Sequence, residues 1–187
     1  MTKAECRKQY TEKRKQLSAV EIEHQSNTIL DTLLNTFDFN GKTISVFLPI
    51  QAKREVNTYP ILDKHNSLNC RIALPVADFQ TNSMFHYLYE HSGQLVINEY
   101  GIPEPVAGTP VAAEEIDIVI VPLLCFDKKG YRVGYGKGFY DRFLSTCRPD
   151  CLFIGLSFFD GIDEIEDCSP DDVPLHVCIT NDTVYFF

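Results

Sequence analysis

The 187-residue sequence has no tryptophan and two methionines, and it is poor in positive charge: 17 Lys and Arg against 26 Asp and Glu leave a formal net charge of −9. A molecule of that sign repels phosphate polymers and anionic bilayers, so no nucleic-acid or membrane partner is expected, and any anion site has to be assembled locally. No run approaches the roughly 18 unbroken apolar residues that a membrane span needs. The opening MTKAECRKQYTEKRKQ is charged with no apolar segment behind it, so the expected location is cytoplasmic. Cys147 and Cys151 are the only close pair among the cysteines and no C-x-x-C occurs, which reads as free thiols. The histidines at 24, 65, 86, 91 and 176 form no H-E-x-x-H, and there is no G-x-S-x-G, Walker A or Rossmann fingerprint. Zinc hydrolases, serine hydrolases and the common nucleotide folds are therefore not indicated. No repeat, low-complexity tract or linker divides the chain, so a single domain over 1–187 is expected.

What is present is an alternation of helical and extended patterns. Thr2 with Glu5, and Ser18 with Glu21, each form a capping-box pattern that starts a helix. The second helix carries Ile22, Ile29, Leu30, Leu33 and Leu34 at near-helical spacing, a core-facing stripe. Strands are expected at Thr43–Ile50, Arg71–Leu74, Phe85–Tyr89, Ile116–Leu124 and Leu152–Ser157, with edge strands within Cys178–Phe187. Short helices are expected from Thr58 to about Lys64 and over Phe139–Ser145, and Gly101–Pro110 reads as a proline-rich connector. The run IDIVIVPLL is apolar on both faces, as in a parallel sheet flanked by helices. The expected fold is α/β, a three-layer sandwich with a largely parallel sheet.

Chemistry concentrates between the strongest strand and the helix at 139, in GYRVGYGKGFYDR. Gly134, Gly136 and Gly138 alternate with Tyr135, Lys137 and Phe139, so the backbone is free to adopt positive φ and to present N–H groups in series to an anion. Lys137 and Arg132 add charge, and a helix N-terminus follows. A glycine hairpin with tyrosines packed on the core is the competing account, but two cations, three aromatics and an acid in one stretch favour a functional loop. Asp141 has two readings, complement to the helix dipole or magnesium ligand. On the first helix Lys3, Arg7, Tyr10 and Arg14 share one face, a cationic stripe that by spacing alone reads sooner as a solvated surface pairing with carboxylates elsewhere than as a binding face. Glu55 and the pair Asp171–Asp172 likewise read, on spacing alone, as loop carboxylates.

The block from Gly130 to Asp141 resembles the 5-formyltetrahydrofolate cyclo-ligase family motif G-x-R-x-G-x-G-x-G-[FY]-Y-D. Supporting matches follow in order: Lys3-x-x-x-Arg7, Phe47-Leu-Pro-Ile-Gln with Glu55-Val-Asn-Thr58, IDIVIVPLLCFD and Asp172-Val-Pro. The resemblance implies the fold of the sugar-isomerase and CoA-transferase superfamily. It implies an ATP- and magnesium-dependent conversion of 5-formyltetrahydrofolate to 5,10-methenyltetrahydrofolate, with release of ADP and phosphate, through a phosphorylated formyl intermediate. By it, ATP is held by Lys3, Arg7, Arg132, Val133, Gly134, Tyr135, Gly136, Lys137, Gly138, Phe139 and Tyr140, with Lys137 and Arg132 as the catalytic cations. The folate, including its polyglutamates, meets Ile50, Glu55, Tyr135, Gly136, Lys137, Gly138 and Phe139, with Leu48 as the alternative to Ile50. Asp141 and Asp172 serve magnesium, and His176 is given no metal role. The chain is taken as a monomer.

Overall fold

In the computed structural model, which describes all 187 residues, both capping boxes form. The Thr2 hydroxyl accepts from the Glu5 N–H and the Glu5 carboxylate accepts from the Thr2 N–H, starting α1 (Lys3–Gln16). Ser18 and Glu21 repeat the arrangement at the start of α2 (Ala19–Thr36). Each cap satisfies donors that the helix itself leaves free, about 1 kcal/mol apiece.

The remaining elements follow in order: β1 (Thr43–Ser45), α3 (Tyr59–Lys64), β2 (Arg71–Asp78), β3 (Ser83–Leu88), β4 (Leu95–Ile97), β5 (Pro103–Pro105), β6 (Pro110–Val111), β7 (Ile118–Pro122), β8 (Cys125–Phe126), β9 (Arg132–Val133), α4 (Phe139–Leu144), β10 (Leu152–Leu156), β11 (Val177–Ile179) and β12 (Val184–Phe186). The main sheet has eight strands in the order β12-β11-β10-β7-β1-β2-β3-β6. Its central five, β11 to β2, are parallel, and antiparallel strands close both sides. The pleat explains why β7 is apolar on both faces: Ile118 and Ile120 enter a core shared with α2 and α3, while Val119 and Val121 enter one shared with α4. A third, smaller cluster packs Cys6 and Tyr10 of α1 on Leu124, Cys125 and Val133 of the β8–β9 hairpin. No helix is long and apolar enough to cross a membrane. All seven cysteines are free thiols.

Several expected boundaries move. The first strand ends at Ser45 rather than Ile50, although Val46, Phe47 and Leu48 remain buried. The Val46 N–H makes the last bond to β2, at the Ala73 carbonyl, and beyond it pairing gives way to burial: the Phe47 carbonyl accepts from the Thr58 hydroxyl, the Ile50 N–H goes to Glu55, and Pro49 has no N–H to give. The segment 101–110 is not a plain connector, since it supplies β5, which pairs with the unforeseen β4, and the start of β6. Strand β2 runs on to Asp78 because its hairpin with β3 continues the ladder. At the C-terminus only β12 is an edge, because β11 lies between it and β10. His86, without an assigned role in the sequence, is a core residue. Its Nε2 lies 2.8 Å from the Ser45 hydroxyl, and burial lowers its pKa to about 3, so it is neutral.

Candidate active site

Beyond the carboxyl ends of β1 and β7 the chain encloses a cavity of about 430 Å³, the position where open α/β sheets bind ligands. One part of its lining is apolar: Phe47, Leu48, Ile50, Pro75, Ala77, Met84, Ile102, Pro103 and Pro122. The other is the glycine segment with Lys3, Arg7, Lys53, Arg132, Lys137, Asp141 and Asp172. Phe79, from the β2–β3 turn, stacks on Tyr100 of the β4–β5 hairpin at 4.0 Å and meets the edge of Phe139 at 5.1 Å.

The glycine segment takes its shape from two left-handed residues, Gly136 (φ 89°) and Gly138 (φ 69°). Side chains are strained there, and a Cβ on Gly136 would lie 3.1 Å from the Arg7 guanidinium carbon. None of the backbone N–H groups from Gly134 to Gly138 donates to an acceptor within the chain. The loop therefore offers a row of donors beside Lys137, whose side chain is exposed and enters no ion pair.

The stripe on α1 is a packed face and not a solvated one. Arg7 Nε donates to the Gly134 carbonyl at 3.0 Å, and Lys3 Nζ lies 2.5 Å from Asp172 Oδ2. Burial would raise the Asp172 carboxyl, but the Lys3 ammonium, the Ser169 N–H and the charge of Arg132 outweigh it and hold the group below its ordinary value. Arg132 is committed to the fold as well as to the cavity. Its side chain is only 5% exposed, pairs with Asp141 at 2.8 Å and donates to the Val173 carbonyl. No group of three or more His, Cys, Asp or Glu side chains clusters as a metal cage. Magnesium arriving on a polyphosphate needs no such cage, since one or two carboxylates plus the phosphates suffice, and Asp141 and Asp172 on the same wall fit that demand.

Glu55 is not a loop carboxylate in water: it is 5% exposed, with Oε2 accepting from the Ile50 N–H at 2.7 Å and Oε1 from the Tyr135 hydroxyl at 2.8 Å. Burial raises its pKa, opposed by the Ile50 N–H, the charge of Arg14 and the Tyr135 hydroxyl. Tyr135 is 40% exposed as a whole residue, but its hydroxyl is enclosed between Glu55 and Arg14. Burial and the adjacent carboxylate push its pKa well up, so it remains a donor.

The chain matches the 5-formyltetrahydrofolate cyclo-ligase family over residues 1–180. The chain belongs to this family. A 5-formyltetrahydrofolate cyclo-ligase from Mycoplasma pneumoniae is 30% identical over 186 residues, covering 97% of this chain and all of the relative. One from Mycolicibacterium smegmatis is 28% identical over 79% of this chain and 77% of the relative. The solved structure of the Aquifex aeolicus 5,10-methenyltetrahydrofolate synthetase superimposes with a TM-score of 0.83 at 31% identity, covering 100% of this chain and 93% of that one.

Within this cyclo-ligase family member every residue assigned to the site by resemblance, apart from the interior Val133, lines the one cavity, including both Leu48 and Ile50. The sequence did not single out Phe79, Tyr100 or Lys53 for the site. The first two lie on separate hairpins with no motif of their own, and Lys53 sits in a polar loop whose direction only the fold determines.

Proposed function

We propose that the chain closes 5-formyltetrahydrofolate to 5,10-methenyltetrahydrofolate with ATP and magnesium, releasing ADP and phosphate. The observation that carries this reading is the row of unpartnered N–H groups at Gly134–Gly138, flanked by Lys137 and sharing one cavity with apolar walls and buried Glu55. The first part suits a polyphosphate and the second a flat heteroaromatic ring with N–H donors on its edge.

The formamide oxygen of the substrate is a poor leaving group. Its attack on the γ-phosphorus forms an O–P bond as the bond to ADP breaks, leaving the formyl oxygen phosphorylated and its carbon electrophilic. The neighbouring secondary amine, N10, then adds to that carbon. Loss of phosphate and of the N10 proton completes the methenyl bridge. Such transfer needs alignment and neutralisation of charge on the equatorial oxygens rather than covalent help. Lys137 and the loop N–H groups supply that neutralisation, and Arg7 braces the loop through the Gly134 carbonyl. Arg132 keeps Asp141 in place, and Lys3 does the same for Asp172. Magnesium held by these carboxylates supplies further charge neutralisation when bound with ATP. Glu55 accepts hydrogen bonds from the amino and ring N–H groups of the pterin, and Phe139 with Tyr135 contacts its faces.

Mixing the protein with 5-formyltetrahydrofolate, ATP and magnesium and following methenyl absorbance together with ADP tests the reading. Product and ADP are expected in equal amounts, and neither in excess chelator. ATP hydrolysis that ignores the folate, or full turnover without divalent metal, would overturn it.

A further inference from the structure

The third cation on the α1 stripe, Arg14, has no role in the reading above. It is 3% exposed, and with Glu55 and Asp127 it is one of the few charged side chains buried in the protein. Its Nη1 donates to the Tyr135 hydroxyl at 3.1 Å, and Nη2 donates to the Leu123 carbonyl, where β7 gives way to β8. Nε has no partner. The Tyr135 hydroxyl accepts from Arg14 and spends its single proton on Glu55, so a buried cation and a buried anion are joined through one phenol.

We propose that Arg14 is the positioning residue for folate recognition: by holding the Tyr135 hydroxyl on Glu55 it fixes the carboxylate that accepts the donor edge of the substrate ring. This rests on the folate reading of Glu55 given above. Tyr135 is 40% exposed on a glycine loop, and the side-chain groups that bond its hydroxyl are Arg14 and Glu55. The planar guanidinium holds that hydroxyl by bridging a strand-end carbonyl and the phenol at once, a geometry that a single ammonium cannot reproduce. Arg14 also supplies charge. The groups facing Glu55 are Arg14 from α1, Lys53 from the preceding turn, Tyr135 from the glycine loop and Tyr140 from α4. Burial pushes Glu55 toward its protonated form, and a protonated Glu55 has lost an acceptor site. Arg14 counters that push. Because Lys3 and Arg7 lie on the same helix toward the other part of the cavity, α1 spans both recognition elements while Arg14 serves only one.

The test compares Arg14→Met, Arg14→Lys, Tyr135→Phe and the Arg14→Met/Tyr135→Phe double variant by equilibrium binding of 5-formyltetrahydrofolate and, separately, of ATP. The pH dependence of kcat/KM for the folate is measured alongside. Arg14→Met is expected to weaken folate binding by roughly tenfold or more, the scale of a lost hydrogen bond in a charged chain, with ATP affinity within about twofold. Its acid limb should move to higher pH, because Glu55 loses a cation that favours ionisation. Arg14→Lys should keep the acid limb near its parental position while recovering only part of the affinity. The double variant should bind folate about as weakly as the single ones, since both break the same chain. Equal loss of folate and ATP affinity with an unmoved acid limb would make Arg14 a mere brace for α1 and overturn the proposal. Additive losses in the double variant would overturn it too. If the parental protein itself fails to bind 5-formyltetrahydrofolate, it is the folate reading that falls.

Discussion

Replacing Lys137 with methionine separates chemistry from folding more cleanly than any other change in the loop. The side chain is exposed between Gly136 and Gly138, and its carbonyl, which accepts from Arg142 at 2.7 Å, is unaffected by the substitution. Away from core packing, such a change alters stability by less than about 0.5 kcal/mol, or about 1–2 °C in Tm for a chain of this length. If the ammonium neutralises the transferring phosphoryl group, its loss lowers turnover by roughly a hundredfold to a thousandfold, about 2.7–4 kcal/mol of transition-state stabilisation. Lys137→Arg restores charge but not shape and should rescue in part. Arg132→Met is the contrasting case. Its side chain is 5% exposed and bonds Asp141 and the Val173 carbonyl, so losing those bonds costs about 1–3 kcal/mol and lowers Tm by roughly 2 °C or more along with activity. Methenyl absorbance gives the rates and a thermal melt gives the stabilities. A Lys137→Met protein that melts normally and turns over at the parental rate would refute Lys137 as the catalytic cation.

Glu55→Gln should raise the KM for folate by roughly tenfold or more while ATP affinity stays within about twofold, because only a charge-assisted acceptor is lost; equal weakening of both by calorimetry would make Glu55 structural. Gly136→Ala combines a strained φ of 89° with a Cβ pressed on Arg7, so ATP affinity should fall by roughly tenfold or more; an unchanged titration would show that the loop has another usable conformation. The Lys3–Asp172 pair adds a pH signature. Its carboxyl is held below the ordinary value of 3.8, so its contribution is present above that pH and lost as pH falls through the lower folded value. The stability difference between the parent and Asp172→Asn should therefore be constant above about pH 5 and shrink below 3.8. A difference that does not change from neutral pH to pH 3 would contradict it.

Local patterns determined much of this protein from sequence alone. Capping boxes depend on residues three apart, so both helix starts were legible at Thr2 and Ser18. Burial on two faces leaves its mark on every residue of a strand, so β7 and β10 could be read from their apolar runs. The glycine segment was legible because residues without side chains alternate there with cations and aromatics. Tertiary structure decided what the chemistry meets. The run after Ser45 looked like strand because burial and strand pairing both select apolar residues, and only the sheet shows where pairing stops. Phe79 and Tyr100 stack from hairpins 21 positions apart in the chain, a meeting set by strand register. Asp172 and Lys3 face each other across 169 positions, so their depressed titration and shared wall belong to the fold and not to any motif. The stripe on α1 shows the division most plainly. Its spacing placed Lys3, Arg7 and Arg14 on one face, but whether that face meets water or Asp172, Gly134 and Tyr135 depends on side chains brought together from far along the chain, whose proximity no local period encodes.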